Sequence, residues 1–217
     1  MLEEFQRIGK LLFEEGLIDS HGGNMSVMDG EKIYITRRDA MLGSLKEGDM
    51  LEVGREPGEK DELASRELPT HRAIYSRTGT KAIVHAHPIY AIAISLTDNK
   101  IVPQDAEGLY LYKAAPIVRV HGGIGSEETV RMLPSFYGEN VIAVVKGHGS
   151  FAIGKDLEEA YKFTSSMERS CAILVAMRAS SAAAPPKRER HDMKPINKSA
   201  IPPGIGVMDR SRYYKPR

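Results

Sequence analysis

The 217-residue sequence contains one cysteine, Cys171, so an intrachain disulfide cannot form. Disulfides are typical of proteins from oxidising compartments, and this chain cannot form one within itself. The expected location is therefore the cytoplasm. No segment approaches the roughly 18 consecutive apolar residues of a transmembrane helix, and we expect no membrane association. The first residues include acids and spaced apolar side chains rather than a basic start and an unbroken apolar run, so we also expect no signal peptide.

The chain lacks an excess of charge of either sign, since its formal net charge is +1. A balance so close to zero gives no argument for nucleic acid as a partner, and we expect none. Hydrophobic residues make up 41% of the chain and charged residues 27%, which is typical of globular proteins. This composition excludes a mostly disordered chain, a collagen-like chain and a coiled coil.

The charges are distributed unevenly along the chain. Residues 181–217 contain nine Lys/Arg, three Asp/Glu and six of the twelve prolines, whereas residues 1–180 carry a balance of −5. This change of composition predicts a folded body over residues 1–180. A basic, proline-rich tail over residues 181–217 would follow it, and the apolar residues of that tail favour packing on a partner.

Hydrophobic spacing, caps and turn residues predict both helices and strands. The predicted helices cover residues 2–15, about 69–79, 90–96, 126–133 and 157–179. The predicted strands cover residues 25–28 and 32–36, joined at an Asp29-Gly30 turn, and residues 50–53, 81–87, 117–120, 141–145 and 151–153. Strands and helices do not alternate strictly, which favours an α/β or α+β sandwich with helices covering a mixed sheet.

Three histidines are candidate metal ligands. His85 and His87 are two residues apart at the end of a predicted strand, so both imidazoles point to one face. His148 follows another apolar strand between two glycines, which let the backbone approach a neighbour closely. Three imidazoles with an open fourth position are typical of a catalytic zinc site, although two satisfied core histidines and a turn would give the same pattern.

The other histidines carry a weaker signal. His21 and His121 lie in glycine-rich loops, and His71 lies in the first turn of a predicted helix. For these three, a solvent-facing or capping role is favoured over a ligand role. His191 lies in the tail and is given no role.

Glu67 precedes a predicted helix, where a carboxylate interacts favourably with the helix dipole. The same carboxylate could move a proton near a metal-bound substrate, but its position alone favours the structural role. The glycine-rich segment 22–26 could hold an anion with its backbone N–H groups, or could be only a turn. Arg38 and Arg66 could each bind a phosphate bidentately, or could be surface charges.

Five of these segments, in the same order, resemble the class II aldolase/adducin family over about residues 2–179. They are Gly22-Gly23-Asn24-Met25-Ser26, Ile35-Thr36, Ser65-Arg66-Glu67, Val84-His85-Ala86-His87 and Gly147-His148-Gly149. The resemblance implies a three-layer α/β/α fold with a central, mostly antiparallel sheet. It also implies a homotetramer with active sites between subunits.

The resemblance implies the chemistry as well. Zinc, or another divalent metal, would be held by His85, His87 and His148. The enzyme would cleave a small ketose 1-phosphate reversibly to dihydroxyacetone phosphate and an aldehyde, through a zinc-stabilised enediolate, with Glu67 as the proton-transferring group. The residues implied to bind substrate and its phosphate are Gly23, Asn24, Arg38, Ser65 and Arg66.

Two positions depart from the family pattern. Arg66 stands where the motif has a second serine, and Arg37-Arg38 stands where sugar-phosphate aldolases have a small residue followed by glycine. Arginine can still bind phosphate, or it can indicate a different anion such as a carboxylate. The identity of the substrate is therefore open.

Other activities of the family are alternatives. They are a sugar-phosphate 4-epimerase, a dehydratase and a non-enzymatic adducin-like binding subunit. Glu67, where epimerases usually carry Asp, favours the aldolase, and the three histidines disfavour the binding subunit. By position, Tyr214 in the tail corresponds to a tyrosine that protonates the aldehyde oxygen, and Glu107 lies where the family places residues facing a neighbouring site.

Overall fold

Eight strands form one sheet in the computed structural model, which describes residues 1–183. The strands are β1 (Asn24–Asp29), β2 (Lys32–Thr36), β3 (Met50–Gly54), β4 (Ala82–Ala86), β5 (Lys100–Ile101), β6 (Ala115–Val118), β7 (Ile142–Val145) and β8 (Gly149–Gly154). Their order across the sheet is β3-β2-β1-β4-β8-β7-β6-β5, and β6 and β7 are parallel while the other neighbouring pairs are antiparallel.

Six α-helices accompany the sheet. They are α1 (Leu2–Glu14), α2 (Leu68–Thr78), α3 (Ile89–Thr97), α4 (Ala106–Leu111), α5 (Glu127–Met132) and α6 (Leu157–Ala183). Within the described residues, no helix is both long enough and apolar enough to cross a membrane. Residues Met1–Ser181 form one compact unit. The division into a body and a tail at residue 180 stays a prediction.

The helices lie on both faces of the sheet, which confirms the predicted fold class. One core contains apolar side chains of α1, α3 and α6, and the other contains those of α2 and of the segment that follows α5. Successive side chains of β4 point to opposite faces of the sheet, so Val84 lies in the first core and Ile83 in the second. His85 has the same parity as Ile83, so its ring lies on the α2 face of the sheet.

Caps explain where several elements begin and end. The helix α1 ends in a Schellman arrangement in which Gly16, with φ of +69°, donates to the carbonyl of Phe13, and Leu17 donates to that of Leu12. The Ser126 hydroxyl accepts from the Thr129 N–H at the start of α5, as predicted. The Asp156 carboxylate caps α6 in the same way by accepting from the Glu159 N–H.

The structure corrects one local prediction and adds two short elements. Register pairs Asp29 with Lys32, so the hairpin turn is Gly30-Glu31 rather than Asp29-Gly30. Gly30 has φ of +57°, which suits the first central position of such a turn. The short elements β5 and α4 are also absent from the predicted list, because two and six residues are too few to establish a period.

Candidate metal and substrate site

The centre of the site is a cluster of three imidazoles at one end of the sheet. His85 is the fourth residue of β4, His87 follows that strand, and His148 lies in the turn between β7 and β8. Because β4 pairs with β8, the end of β4 lies beside that turn. One ring nitrogen from each histidine lies within 4.8 Å of the others, so the structure brings the three predicted ligands together.

Hydrogen bonds determine which nitrogens face one another. The Nδ1 atom of His85 lies 2.9 Å from the carbonyl oxygen of Ser150, and a carbonyl only accepts, so Nδ1 carries the proton. The Nε2 atom of His85 therefore carries a lone pair and no proton, and it lies 3.0 Å from Nε2 of His87. The Nε2 atom of His148 is buried without a hydrogen-bond partner among the described residues.

Burial keeps all three rings neutral. Desolvation lowers the pKa of His85 well below its usual value, and the two neighbouring imidazoles lower it further. Desolvation and His87 lower the pKa of His148 to about 4, and desolvation also lowers that of His87. Neutral imidazoles are the form that binds a metal.

The donor set fits a divalent cation such as zinc. Ligand atoms of a tetrahedral zinc site with Zn–N bonds of about 2.0–2.1 Å lie roughly 3.4 Å apart. Here the His85 and His87 nitrogens lie 3.0 Å apart and all three ligand atoms lie within 4.8 Å of one another, a range that includes this value. The Ser150 carbonyl that fixes the tautomer of His85 is the usual partner of a metal-binding histidine. A buried imidazole nitrogen without a partner, as in His148, is otherwise costly and is accounted for by a bound cation.

Neighbouring backbone holds the ring-bearing segments in place. The N–H of His87 donates to the carbonyl of Leu17, which directly follows the glycine that ends α1. Gly149 allows the close approach of His148 to β4, because a Cβ at residue 149 would lie 2.3 Å from the carbonyl oxygen of Ala86. The predicted need for glycine beside His148 thus has a steric cause.

Glu67 is buried beside this cluster, with 2% of its surface exposed. Its Oε1 accepts a hydrogen bond of 2.7 Å from the N–H of Gly125, whereas its Oε2 has no partner among the described residues. Burial raises the pKa of Glu67 to about 7, and the Gly125 N–H partly opposes that rise. Near neutral pH both protonation states are populated, as proton transfer requires.

One cavity of about 110 Å³ joins these groups, and the three histidines and Glu67 line it. Its wall also contains the five predicted substrate-binding residues Gly23, Asn24, Arg38, Ser65 and Arg66. His21, Gly22, Arg37, Asp39, Ala40 and Ile124 complete the lining. The structure therefore places every predicted site residue of residues 1–183 around one cavity, and their roles stay predictions.

Backbone pairing brings the two arginine-bearing segments together. The Ser65 N–H donates to the carbonyl of Thr36, and the Arg38 N–H donates to that of Leu63. Arg37 and Ala64 form an isolated bridge between these contacts. No acidic side chain of the described residues pairs with the guanidinium of Arg38 or Arg66, so both charges are available to an anion.

The remaining predictions have mixed outcomes. His21 and His121 are exposed, in agreement with the solvent-facing role. For His71 that role is wrong, because the residue is fully buried, with Nδ1 2.6 Å from the Ser26 hydroxyl oxygen, which lies 2.7 Å from the Tyr75 hydroxyl. Glu107 is exposed in α4, and its place facing a neighbouring site stays a prediction. Tyr214 and His191 lie outside the described residues.

The burial of His71 predicts a pH-dependent stability. Desolvation lowers its pKa from 6.5 to about 3, so between these values the unfolded state binds a proton that the folded state does not. This stabilising contribution is complete above pH 6.5 and is lost as the pH falls, by at most about 1.4 kcal/mol per pH unit. Urea titrations at pH 7 and pH 5 measure the free energy of unfolding. Between these two pH values we expect it to fall by roughly 2 kcal/mol less in metal-free His71→Asn than in metal-free wild type. Equal losses would contradict a neutral, buried His71.

Gly125 is a site residue that the sequence reasoning missed. The segment Gly122-Gly123-Ile124-Gly125 connects β6 to α5, and it supplies both the partner of Glu67 and the cavity-lining Ile124. In the sequence, the only sign of this role is the high density of glycine, which is equally typical of an ordinary turn.

Comparison with known proteins agrees with this geometry. Residues 3–175 match the family described as Class II Aldolase and Adducin N-terminal domain. An L-fuculose phosphate aldolase of Methanococcus maripaludis is 33% identical over 168 residues, which cover 77% of this chain and 92% of the relative. The crystal structure of L-fuculose-1-phosphate aldolase from Thermus thermophilus superposes with a TM-score of 0.82 at 34% identity, over 85% of this chain and 97% of that one.

A further relative carries a different activity. A methylthioribulose-1-phosphate dehydratase of Acidiphilium cryptum is 29% identical over 175 residues, which cover 73% of this chain and 82% of the relative. The curated relatives of this chain therefore include enzymes named for more than one reaction on phosphorylated sugars.

Proposed function

The chain belongs to the class II aldolase and adducin family, and from that premise we propose that it is a metal-dependent aldolase. It reversibly cleaves a small ketose 1-phosphate into dihydroxyacetone phosphate and an aldehyde. The observation that carries the proposal is the joint lining of one cavity by three neutral imidazoles and a carboxyl group with a pKa of about 7.

His85, His87 and His148 would hold the divalent cation, zinc being the metal expected for three imidazole ligands. When bound, the cation supplies Lewis-acid polarisation of the substrate oxygens. The protein keeps the three rings neutral and oriented, through burial and through the hydrogen bond from His85 to Ser150.

Glu67 moves the proton at the carbon centre. In cleavage, the C4 hydroxyl gives its proton to the tail residue Tyr214, the C3–C4 bond breaks to leave an aldehyde at C4, and its electron pair remains on C3. Protonated Glu67 then donates to C3 and completes the triose phosphate. In synthesis, ionised Glu67 removes that proton from dihydroxyacetone phosphate. A pKa of about 7 suits a group that acts as acid in one direction and as base in the other.

The phosphate is bound by the cavity-lining residues Gly23, Asn24, Arg38, Ser65 and Arg66. Gly23 has φ of +76°, and the buried Asn24 carries a side-chain amide N–H that can donate to a phosphate oxygen. Ser65 Oγ accepts from the N–H of Glu67, which leaves its hydroxyl proton available to an anion. Arg38 and Arg66 add two planar donors that suit a phosphate dianion.

A fragment-release assay tests the proposal. The zinc-loaded protein would be offered the 1-phosphates of fuculose, rhamnulose, ribulose and xylulose, and dihydroxyacetone phosphate would be followed through a coupled reductase. Release that disappears in Glu67→Gln supports the aldolase. No release from any of them would contradict it.

Product analysis of the same reactions separates the other candidates. A dehydratase, the activity of the Acidiphilium cryptum relative, removes water and keeps all the carbon atoms in one molecule. An epimerase also keeps the carbon skeleton and changes one stereocentre. An adducin-like binding subunit would hold no stoichiometric metal and convert none of the sugars.

We further propose a cytoplasmic homotetramer whose sites lie between subunits, with Tyr214 of the tail protonating the aldehyde oxygen.

Deleting residues 208–217 would remove that tyrosine and leave the described site intact. We expect kcat to fall about 100-fold or more, the scale of a general acid, while bound zinc stays the same. The Tyr214→Phe variant tests the hydroxyl alone. Unchanged kinetics in the truncated protein would remove Tyr213 and Tyr214 from the reaction.

A further inference from the structure

The segment 122–125, here called the glycine loop, makes a specific contact with the proton-transferring residue. The Gly125 N–H donates to Oε1 of Glu67 over 2.7 Å, across 58 residues of sequence. Gly125 adopts φ of +65°, a conformation that side chains rarely take. A Cβ at this residue would also lie 2.5 Å from the backbone carbonyl oxygen of Arg66. Both conditions require glycine at residue 125.

The ends of the glycine loop are fixed to α5. The His121 N–H donates to the carboxylate of Glu128 over 2.6 Å, and the Ser126 N–H donates to the carbonyl of Gly123 over 3.1 Å. Ser126 in turn caps α5, which packs against α2, the helix that begins directly after Glu67. The donor and its acceptor are therefore held by two helices in mutual contact.

This contact makes the two carboxyl oxygens of Glu67 unequal. Oε1 faces an N–H donor, so a proton on Oε1 would point against another proton. Oε2 is buried and has no hydrogen-bond partner among the described residues, and Glu67 lines the cavity. The proton of the neutral acid therefore resides on Oε2.

We propose that Gly125 is a positioning residue that fixes the carboxyl group of Glu67 through Oε1 and thereby reserves Oε2 as the atom that exchanges a proton with the substrate. The inference rests on the proposed function. It adds that the glycine loop acts on the rate of proton transfer and has no part in binding the metal or the phosphate.

Two alanine variants of the same loop test the role in turnover. Gly125→Ala introduces the 2.5 Å contact and the strained φ, whereas a Cβ at Gly123 has no atom within 4 Å. We expect kcat of Gly125→Ala to fall about 10- to 100-fold, the effect of misplacing a catalytic group by about 1 Å. KM and zinc content stay within about twofold, because neither depends on the carboxyl orientation. Gly123→Ala keeps wild-type kinetics. Equal kcat in the two variants would overturn the proposal.

A spectroscopic measurement is independent of turnover and of how well Gly125→Ala folds. In the zinc-loaded protein, the Gly125 amide proton is observed by NMR in wild type and in Glu67→Gln. A hydrogen bond to a carboxylate is stronger than one to a neutral amide oxygen. We therefore expect the Gly125 resonance to move upfield in Glu67→Gln while that of Gly123 stays in place. An unchanged Gly125 resonance would overturn the contact even if the protein is an aldolase. A shifted resonance in a protein that releases no triose would support the positioning and reject the aldolase.

Discussion

We expect His148→Ala to purify without stoichiometric zinc and without measurable release of dihydroxyacetone phosphate. The three ring nitrogens lie within 4.8 Å of one another, and removing one leaves two imidazoles. Protein zinc sites use at least three protein ligands, so His85 and His87 alone hold the cation weakly. Metal content by plasma emission spectrometry and the coupled assay measure the two losses separately.

A thermal assay adds a thermodynamic readout. A ligand that binds only the folded state, present at 100 times its Kd, stabilises that state by about 2.7 kcal/mol. For a chain of this size each kcal/mol raises Tm by roughly 2–4 °C. Zinc therefore raises the Tm of the metal-free wild type by roughly 5–10 °C and leaves that of His148→Ala nearly unchanged.

His121→Ala is the matched control for this loss. The His121 side chain is 95% exposed and lies outside the cavity lining. This variant keeps its zinc and its Tm response. Full metal occupancy in His148→Ala would remove His148 from the site, and equal losses in both variants would point to a general effect of removing histidine.

Part of the histidine cluster could be anticipated because the relation between His85 and His87 is local. Alternation along a strand places His85 and His87 on one face whatever the rest of the chain does. The glycines around His148 likewise indicate a close approach of backbone. What the sequence did not contain was the pairing of β4 with β8, since register between distant strands depends on the packing of the whole sheet.

Burial of single polar residues was less predictable. The helix α2 begins at Leu68, so its first turn was expected to face solvent, and His71 lies there. The ring is nevertheless buried, because Ser26 of β1 and Tyr75 of the same helix provide polar neighbours inside the second core. Those neighbours are distant in sequence or become adjacent only when α2 packs on the sheet.

The environment of Glu67 shows the same limit. Its place before a helix favoured the plain structural role over catalysis. Two features of the structure alter that assessment: burial raises the pKa of Glu67 to about 7 against the opposing effect of the Gly125 N–H, and Oε2 has no hydrogen-bond partner among the described residues. Neither property can be obtained from the motif, since both depend on the packing of segments that are distant in the chain, among them the loop 58 residues away.

Glu67→Gln carries the second large expected effect, a loss of about 10²- to 10⁴-fold in kcat with bound zinc unchanged. Glutamine has the shape of glutamic acid, and its side-chain oxygen can still accept from the Gly125 N–H. It carries no proton that it can exchange with carbon. The substitution therefore removes proton transfer while it preserves packing and one hydrogen bond.

Solvent exchange separates proton transfer from the other steps of the reaction. We expect wild type in deuterium oxide to incorporate deuterium into dihydroxyacetone phosphate without any aldehyde present, because under the proposed function Glu67 removes and returns a proton at the carbon that later forms the bond. Glu67→Gln loses this exchange by the same factor as it loses cleavage. Glu31→Gln is the control, since that carboxylate is exposed at the β1–β2 turn and does not line the cavity. If Glu67→Gln exchanged deuterium at the wild-type rate, a different group would move the proton, and the raised pKa of Glu67 would reflect only its burial.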